Sequence, residues 1–60
     1  MTRKDYRAIA AALLIVRPPE GDAAAMLTWA QDVRSIAAAL LADNPRFIPG
    51  RFYRAAGLEE

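Results

Sequence analysis

The side chains that could act as nucleophiles or as acid–base groups are few, and they are scattered along the chain. Histidine and cysteine are absent, which removes the commonest general base, the commonest zinc ligand and thiolate chemistry. The spacing of the remaining candidates places no nucleophile beside an activating base and no two carboxylates together as an acid–base pair. We therefore expect a protein that is not an enzyme and that uses no metal or cofactor. The groups considered are Thr2, Lys4, Tyr6, Thr28, Ser35, Tyr53, Asp5, Asp32 and Asp43.

Basic residues are concentrated near the two ends of the chain. If the chain forms two long antiparallel helices, its two ends meet at one pole of the molecule. The basic residues of that pole are then Arg3, Lys4, Arg7, Arg46, Arg51 and Arg54. Carboxylates at the same pole reduce the excess charge, and the net charge of the chain is only +1, whereas a nucleic-acid interface normally shows a clearly basic face. The candidate contact residues here are Arg46, Arg51, Tyr53 and Arg54, with nucleic-acid binding as the less favoured use.

The length of the chain limits how it can be stabilised. Sixty residues predict a single domain spanning 1–60, and a chain of this size buries only about 60% of the surface that its unfolded state exposes. No disulfide can compensate, so very regular helix packing or oligomerisation is the expected source of stability. The apolar run at residues 8–16 is far shorter than the roughly 20 residues that cross a bilayer. We expect a cytoplasmic protein that does not enter a membrane.

A long central helix is the clearest element in the sequence. Met26, Trp29, Val33, Ile36 and Leu40 recur at alternating steps of three and four, which puts them on one face of a helix over residues 22–41. The residue at position 22 is an aspartate, a good N-cap. The Asp-Asn-Pro sequence at 43–45 predicts the end of the helix, with the asparagine in the left-handed conformation.

A first helix is predicted from about residue 3 to residue 16. Thr2 is a plausible N-cap, and Asp5 completes a capping box with aspartate in place of glutamate. Apolar residues repeat the three–four spacing along this segment, and the Pro-Pro pair at 18–19 ends it. The short connection predicts that the two helices are antiparallel neighbours. Alanines beside both apolar stripes are expected to let the two backbones approach closely.

A short third helix is predicted after Pro49, which suits the first turn of a helix. It should run to about residue 56, with Phe52 facing inward, Gly57 ending it and Leu58 making the apolar contact that accompanies such an end. The two glutamates at 59–60 are expected to fray. The predicted fold is all-α: an antiparallel helical hairpin with a short third C-terminal helix folded against its open end.

The motifs at the two ends of the chain are similar to those of a known group of proteins. The first is TRKDY at residues 2–6, and the second is DNPRF at 43–47, followed by Arg51-Phe52 and Ala55-Ala56. Together with Ile9-Ala10 and the central tryptophan, they resemble short uncharacterised proteins encoded by phages and prophages of actinobacteria. The resemblance implies a phage origin and a role inside an infected host cell, but no particular activity. The chain departs from the pattern at position 48, where its relatives usually carry an acidic N-cap, and a weaker start to the third helix is expected.

Apolar residues outside the main stripes indicate contact with another protein. Leu14, Ile15, Leu27 and Leu41 lie off the two main faces, and a short third helix can cover only some of them. Trp29 is expected in the core, yet tryptophan also anchors interfaces and so small a protein has little depth in which to bury an indole. We select Trp29 and Leu27 as candidate contact residues on a helix face.

The sequence leads to one favoured hypothesis and two alternatives. We expect a small phage-encoded accessory protein that acts by protein–protein interaction, as a homodimer or by binding and modulating a host protein. One alternative is a small nucleic-acid-associated regulator that uses the C-terminal arginine cluster. The other is a component of the virion or of its assembly.

Overall fold

Three α-helices and the turns between them make up the chain from residue 1 to residue 58. These are the residues that the computed structural model describes, so the expected fraying of 59–60 lies outside the described part. Helix α1 spans Arg3–Ile15, α2 spans Ala23–Asp43 and α3 spans Pro49–Ala56. The described chain contains no β-strand. The prediction of an all-α protein is confirmed.

The N-terminal ends of α1 and α2 are closed by the side chains that the sequence predicts. The backbone N–H of Thr2 donates to Asp5 Oδ2 at 2.9 Å, and the N–H of Asp5 donates to Thr2 Oγ1 at 3.4 Å. This reciprocal capping box satisfies two amide groups that have no partner inside the helix. Asp22 Oδ1 accepts from the N–H of Ala25 at 3.1 Å and serves the same purpose at the start of α2.

The end of α2 differs from the prediction in its backbone conformation. Asn44 does not adopt the left-handed conformation, because its φ of −138° and ψ of 103° are those of extended chain. The following Pro45 explains the difference, since the proline ring disfavours helical geometry in the residue before it and pushes that residue toward extended backbone. Asn44 is therefore the residue at which the chain turns from α2 toward α3.

The end of α3 follows the prediction closely. Gly57 adopts a φ of 89°, a conformation that residues with a Cβ atom avoid. The N–H groups of Gly57 and Leu58 return to the carbonyls of Arg54 and Tyr53, at 3.2 and 2.8 Å respectively. Leu58 is buried, so the apolar contact that accompanies this type of helix end is also present.

Helix α3 runs along α1 in the same direction. Phe47, just before α3, stacks edge-on against Tyr6 near the start of α1, with 4.8 Å between the ring centroids. Gly57, just after α3, lies beside Leu14 and Arg17 at the far end of α1. Helix α3 also packs against α2. Helix α3 and the residues that flank it therefore extend along α1 from its start to its end.

The core is assembled around α2. Its buried residues come from all three helices and from the segments before and after α3, and they are Ala10, Trp29, Ala30, Val33, Ala37, Leu40, Phe47, Phe52, Ala56 and Leu58. The Cα atoms of α1 and α2 rarely come within 8 Å of each other, whereas those of α3 approach both helices. The expectation that alanines bring the α1 and α2 backbones close together is wrong. The indole of Trp29 reaches from α2 to the Leu13 carbonyl of α1 across the space between the two helices.

The left-handed Gly57 provides a test of how α3 is held. A Cβ atom at this position would lie 2.7 Å from Leu14 Cδ1 and 3.2 Å from Arg17 Cδ. We predict that Gly57→Ala lowers the free energy of unfolding by about 1–2 kcal/mol from the backbone conformation alone, and by more once the crowding is added. Urea denaturation followed by circular dichroism measures the change.

Gly50→Ala is the matched control for this prediction. Gly50 lies in α3, and a Cβ atom there would meet nothing within 4 Å. Alanine favours a helix over glycine, so the control should be neutral or should stabilise the protein by up to about 1 kcal/mol. Equal stability of the Gly57 variant and the wild type would contradict the packing of α3 described above.

Candidate functional site

A concave surface with basic edges lies between α1 and α3. This groove has a volume of about 500 Å³. Its arginines are Arg3 and Arg7 from α1, Arg46 from the α2–α3 connection and Arg51 from α3. We call it the arginine groove. Its remaining lining residues are Tyr6, Ala10, Asn44, Phe47, Ile48, Phe52 and Ala55.

Helix geometry places the arginines along the two edges. Arg3 and Arg7 are four residues apart, so they lie one above the other on the same face of α1, about 6 Å apart along the axis. Arg51 lies on α3, which runs parallel to α1, and Arg46 precedes that helix. Both edges are therefore supported by helices.

An aromatic cluster forms the base of the groove. Phe47 contacts Tyr6 on one side and Phe52 on the other, with ring centroids at 4.8 and 5.6 Å and interplanar angles of 65° and 62°. Phe47 is 7% exposed and Phe52 is 3% exposed. Edge-on aromatic pairs of this kind hold the packing together. The faces of these two phenylalanines are not available for stacking against a ligand.

Asn44 makes two hydrogen bonds in the groove, one to α1 and one within the turn that precedes α3. Its Nδ2 donates to the Tyr6 hydroxyl at 3.1 Å, and its Oδ1 accepts from the backbone N–H of Arg46 at 3.1 Å. The first bond joins the end of α2 to α1, and the second shapes the turn that carries Arg46. The conformation of Asn44 therefore fixes the position of the Arg46 backbone.

The arginine groove is positively charged, and no acidic residue of the described range 1–58 lines it. The hydrogen bonds within residues 1–58 include no acceptor for the guanidinium groups of its four arginines. Asp5 is near in sequence, but its carboxylate is held in the capping box, where the hydrogen bond from the Thr2 backbone keeps its pKa below the usual value. The groove is suited to binding an anionic group.

The structure separates the candidate contact residues of the C-terminal pole. Arg46 and Arg51 line the groove together with Arg3 and Arg7 from the other end of the chain. Arg54 does not line it, and its Nε donates back to the Gly50 carbonyl at 3.4 Å. Tyr53 is partly buried against the core. Ile48 was not selected from the sequence, yet it lies in the groove and is 51% exposed.

The two candidate residues on the helix face also differ. Trp29 is 6% exposed and belongs to the core, whereas Leu27 is 61% exposed. The indole Nε1 of Trp29 donates to the Leu13 carbonyl at 2.9 Å, and the guanidinium of Arg17 lies 5.7 Å from the indole centroid. Trp29 therefore joins α1 to α2 from the inside. Leu27 is the member of the pair that a partner can reach.

The described residues contain neither a metal-binding cluster nor a membrane-spanning helix. Residues 1–58 hold no group of three or more potential ligands that could bind a metal ion. No helix in this range combines the length and the apolar character needed to cross a bilayer. No protein-family model, curated protein or solved structure matches the chain. The proposals below therefore depend on the geometry and chemistry of this molecule.

The hydrogen bond of Trp29 provides a test of what joins α1 to α2. We predict that Trp29→Phe lowers the free energy of unfolding by about 1–3 kcal/mol, because the Leu13 carbonyl loses its donor in a partly buried position. Chemical denaturation monitored by circular dichroism measures the loss. Tyr53→Phe is the control, since it removes a polar group from a less buried aromatic residue, and it should change stability by less than about 0.5 kcal/mol. An equally small effect of Trp29→Phe would contradict the role assigned to the indole.

Proposed function

We propose that this chain is a small all-α interaction module that acts by binding another protein. The partner is a second copy of the chain, a host protein, or both in turn. The observation that carries the proposal is the exposure of large apolar side chains that lie outside the packed core. Ile15 is 83% exposed, Val16 64% and Leu27 61%. Apolar surface that a small domain leaves uncovered is typical of an interaction site.

One face of α2 supports self-association in particular. Leu27, Arg34 and Leu41 recur at seven-residue intervals, with Gln31 and Ala38 between them, and all five residues are exposed. The alternating steps of four and three are those of a helix seam that packs against another helix. We call this face the outer stripe of α2. It is distinct from the buried face and presents leucines at both of its ends.

The proposed module has the architecture of an antiparallel hairpin with a third helix laid against it. Two hydrogen bonds support this arrangement: Trp29 near the start of α2 bonds to Leu13 near the end of α1, and Asn44 after α2 bonds to Tyr6 near the start of α1. The order of the partners along α1 is opposite to their order along α2. Such an arrangement leaves the outer stripe of α2 on the side away from α1.

The proposed setting is an infected bacterial cell. The support is the resemblance of the TRKDY and DNPRF motifs to short proteins of actinobacterial phages. In this setting the module is an accessory protein that modulates a host protein by occupying part of its surface. The lack of paired acid–base groups is consistent with action by contact.

Nucleic-acid binding is the second candidate function, because four arginines share one groove. Proteins that bind single strands usually offer exposed aromatic faces on which the bases stack. Phe47 and Phe52 are buried and packed edge-on, so they do not serve this purpose. Duplex readers insert a helix or a ribbon into a DNA groove, whereas these arginines line a concavity. Protein binding is therefore the favoured function.

We predict that the protein self-associates through the outer stripe of α2. The double variant Leu27→Glu/Leu41→Glu places like charges on this stripe, so its mass in sedimentation equilibrium should fall to that of a monomer. Ala8→Glu/Ala12→Glu is the matched control, because it adds the same charge at exposed positions of α1 that lie outside the outer stripe, and it should leave the association intact. Circular dichroism of each variant checks that the helices are retained.

Affinity capture from host lysate, with and without nuclease, tests the broader proposal. A specific host protein that survives nuclease treatment supports it. A wild-type protein that is strictly monomeric and captures no protein would overturn it. Captured proteins that disappear with nuclease would favour the nucleic-acid alternative.

A further inference from the structure

We propose that the arginine groove binds a short acidic segment of a partner protein, one that carries carboxylate side chains around at least one apolar side chain. This inference deepens the proposed function, on which it rests, by assigning the chemistry of a partner segment and the surface that receives it. It concerns the α1–α3 side of the molecule. The outer stripe of α2 is a separate surface.

The edges of the groove are suited to binding carboxylates. All four of its charged residues are arginines, whose planar guanidinium groups donate two parallel hydrogen bonds to a carboxylate. Among residues 1–58, no acidic residue lines the groove and no acceptor occupies these guanidinium groups. Each arginine is also on the exposed surface. A ligand that carries carboxylates would therefore complement the charge of the groove.

The spacing along α1 suits a peptide. Arg3 and Arg7 are separated by about 6 Å along the helix axis. Alternate residues of an extended peptide are separated by about 6.6 Å and point to the same side. Two carboxylates on alternate residues can thus each meet one of these two arginines. The opposite edge, with Arg46 and Arg51, meets side chains that point the other way.

The floor of the groove is suited to binding an apolar side chain of the ligand. Ala10 and Ala55 face the groove from α1 and α3 and leave it open, because their side chains are short. Ile48 also lines the groove and is 51% exposed, so it offers apolar surface that a ligand can cover. An apolar side chain of the ligand would cover Ile48 and remove apolar surface from water. A purely ionic ligand would leave this residue exposed.

The same observations argue against a nucleic-acid ligand. Phosphates would satisfy the arginines equally well, but bases need exposed aromatic faces, and the phenylalanines below the groove are buried. Nothing in a phosphate backbone would cover Ile48. A protein segment accounts for the charged edges and the apolar floor together.

The test is fluorescence anisotropy with the full chain and defined probes. The main probe is a short labelled peptide of Glu and Asp with a central Leu-Phe pair. Its matched probe replaces every Glu and Asp by Gln and Asn. A third probe is a single-stranded oligonucleotide of the same net charge. We expect the acidic peptide to bind in a salt-dependent manner and the amide peptide to bind at least about tenfold more weakly, since hydrogen bonds to charged groups contribute more than neutral ones.

Paired variants locate the binding site. Arg46→Gln/Arg51→Gln removes two charges from the groove, and Lys4→Gln/Arg54→Gln removes two exposed positive charges from outside both the groove and the outer stripe. Both variants have the same net charge. The groove variant should bind the acidic peptide at least about tenfold more weakly, whereas the control should stay within about twofold of the wild type. Circular dichroism confirms that each variant is folded.

Ile48→Ser tests the apolar part of the proposal. It should weaken binding of the acidic peptide several-fold and should not change the binding of a peptide that contains only Glu and Asp. Ile48 is an exposed N-cap without a side-chain hydrogen bond, so serine at this position is compatible with the start of α3.

Each other outcome overturns the inference. Equal losses in the groove and control variants would indicate attraction to overall charge. Equal binding of the acidic and amide peptides would remove the role of carboxylates, and preferential binding of the oligonucleotide would point to nucleic acid. Absence of peptide binding in a protein that still self-associates through the outer stripe would refute the groove ligand and leave the proposed function standing. Loss of both would refute the two together.

Discussion

The hydrogen bond from the Trp29 indole to the Leu13 carbonyl is the constraint on which the rest of the structure depends. Leu13 lies near the end of α1, where carbonyl groups run out of helical partners. The N–H of Arg17, its usual partner, donates instead to Leu14 at 3.2 Å. Trp29 therefore satisfies this carbonyl from a different helix and fills the space between α1 and α2. Because the two backbones stay apart, this contact and the core around it hold the helices in register.

The two ends of the molecule are built from different interactions and have different consequences. At the end with Trp29, an indole, the stem of Arg17 and the left-handed Gly57 pack together, and this end is structural. At the other end, Tyr6, Phe47 and Asn44 form an aromatic and hydrogen-bonded base. That base lies beneath the arginines that three segments contribute to one groove. The proposed ligand site thus depends on packing beneath it.

A chain of this length cannot bury all of its large apolar residues. Small side chains make up much of its core, since four of the ten buried residues are alanines: Ala10, Ala30, Ala37 and Ala56. Small residues bury little area, so stability is limited and larger residues such as Leu27 and Ile48 remain outside. This limited depth leaves large apolar side chains and the arginine groove on the surface of the molecule.

The sequence by itself determined the elements whose causes are local. The capping box of Thr2 and Asp5, the ends of the helices and the left-handed Gly57 all arise from neighbouring residues, and each was predictable. Contacts between distant residues were decided only by the tertiary structure. The extended conformation of Asn44 has a local cause in Pro45, whereas its hydrogen bond to Tyr6 joins residues that are 38 positions apart. Arg51 lines the groove and Arg54 does not, which depends on how α3 packs against α1. The burial of Trp29 and the exposure of Ile48 depend on which faces α3 covers, because burial is a property of packed elements and not of a local segment.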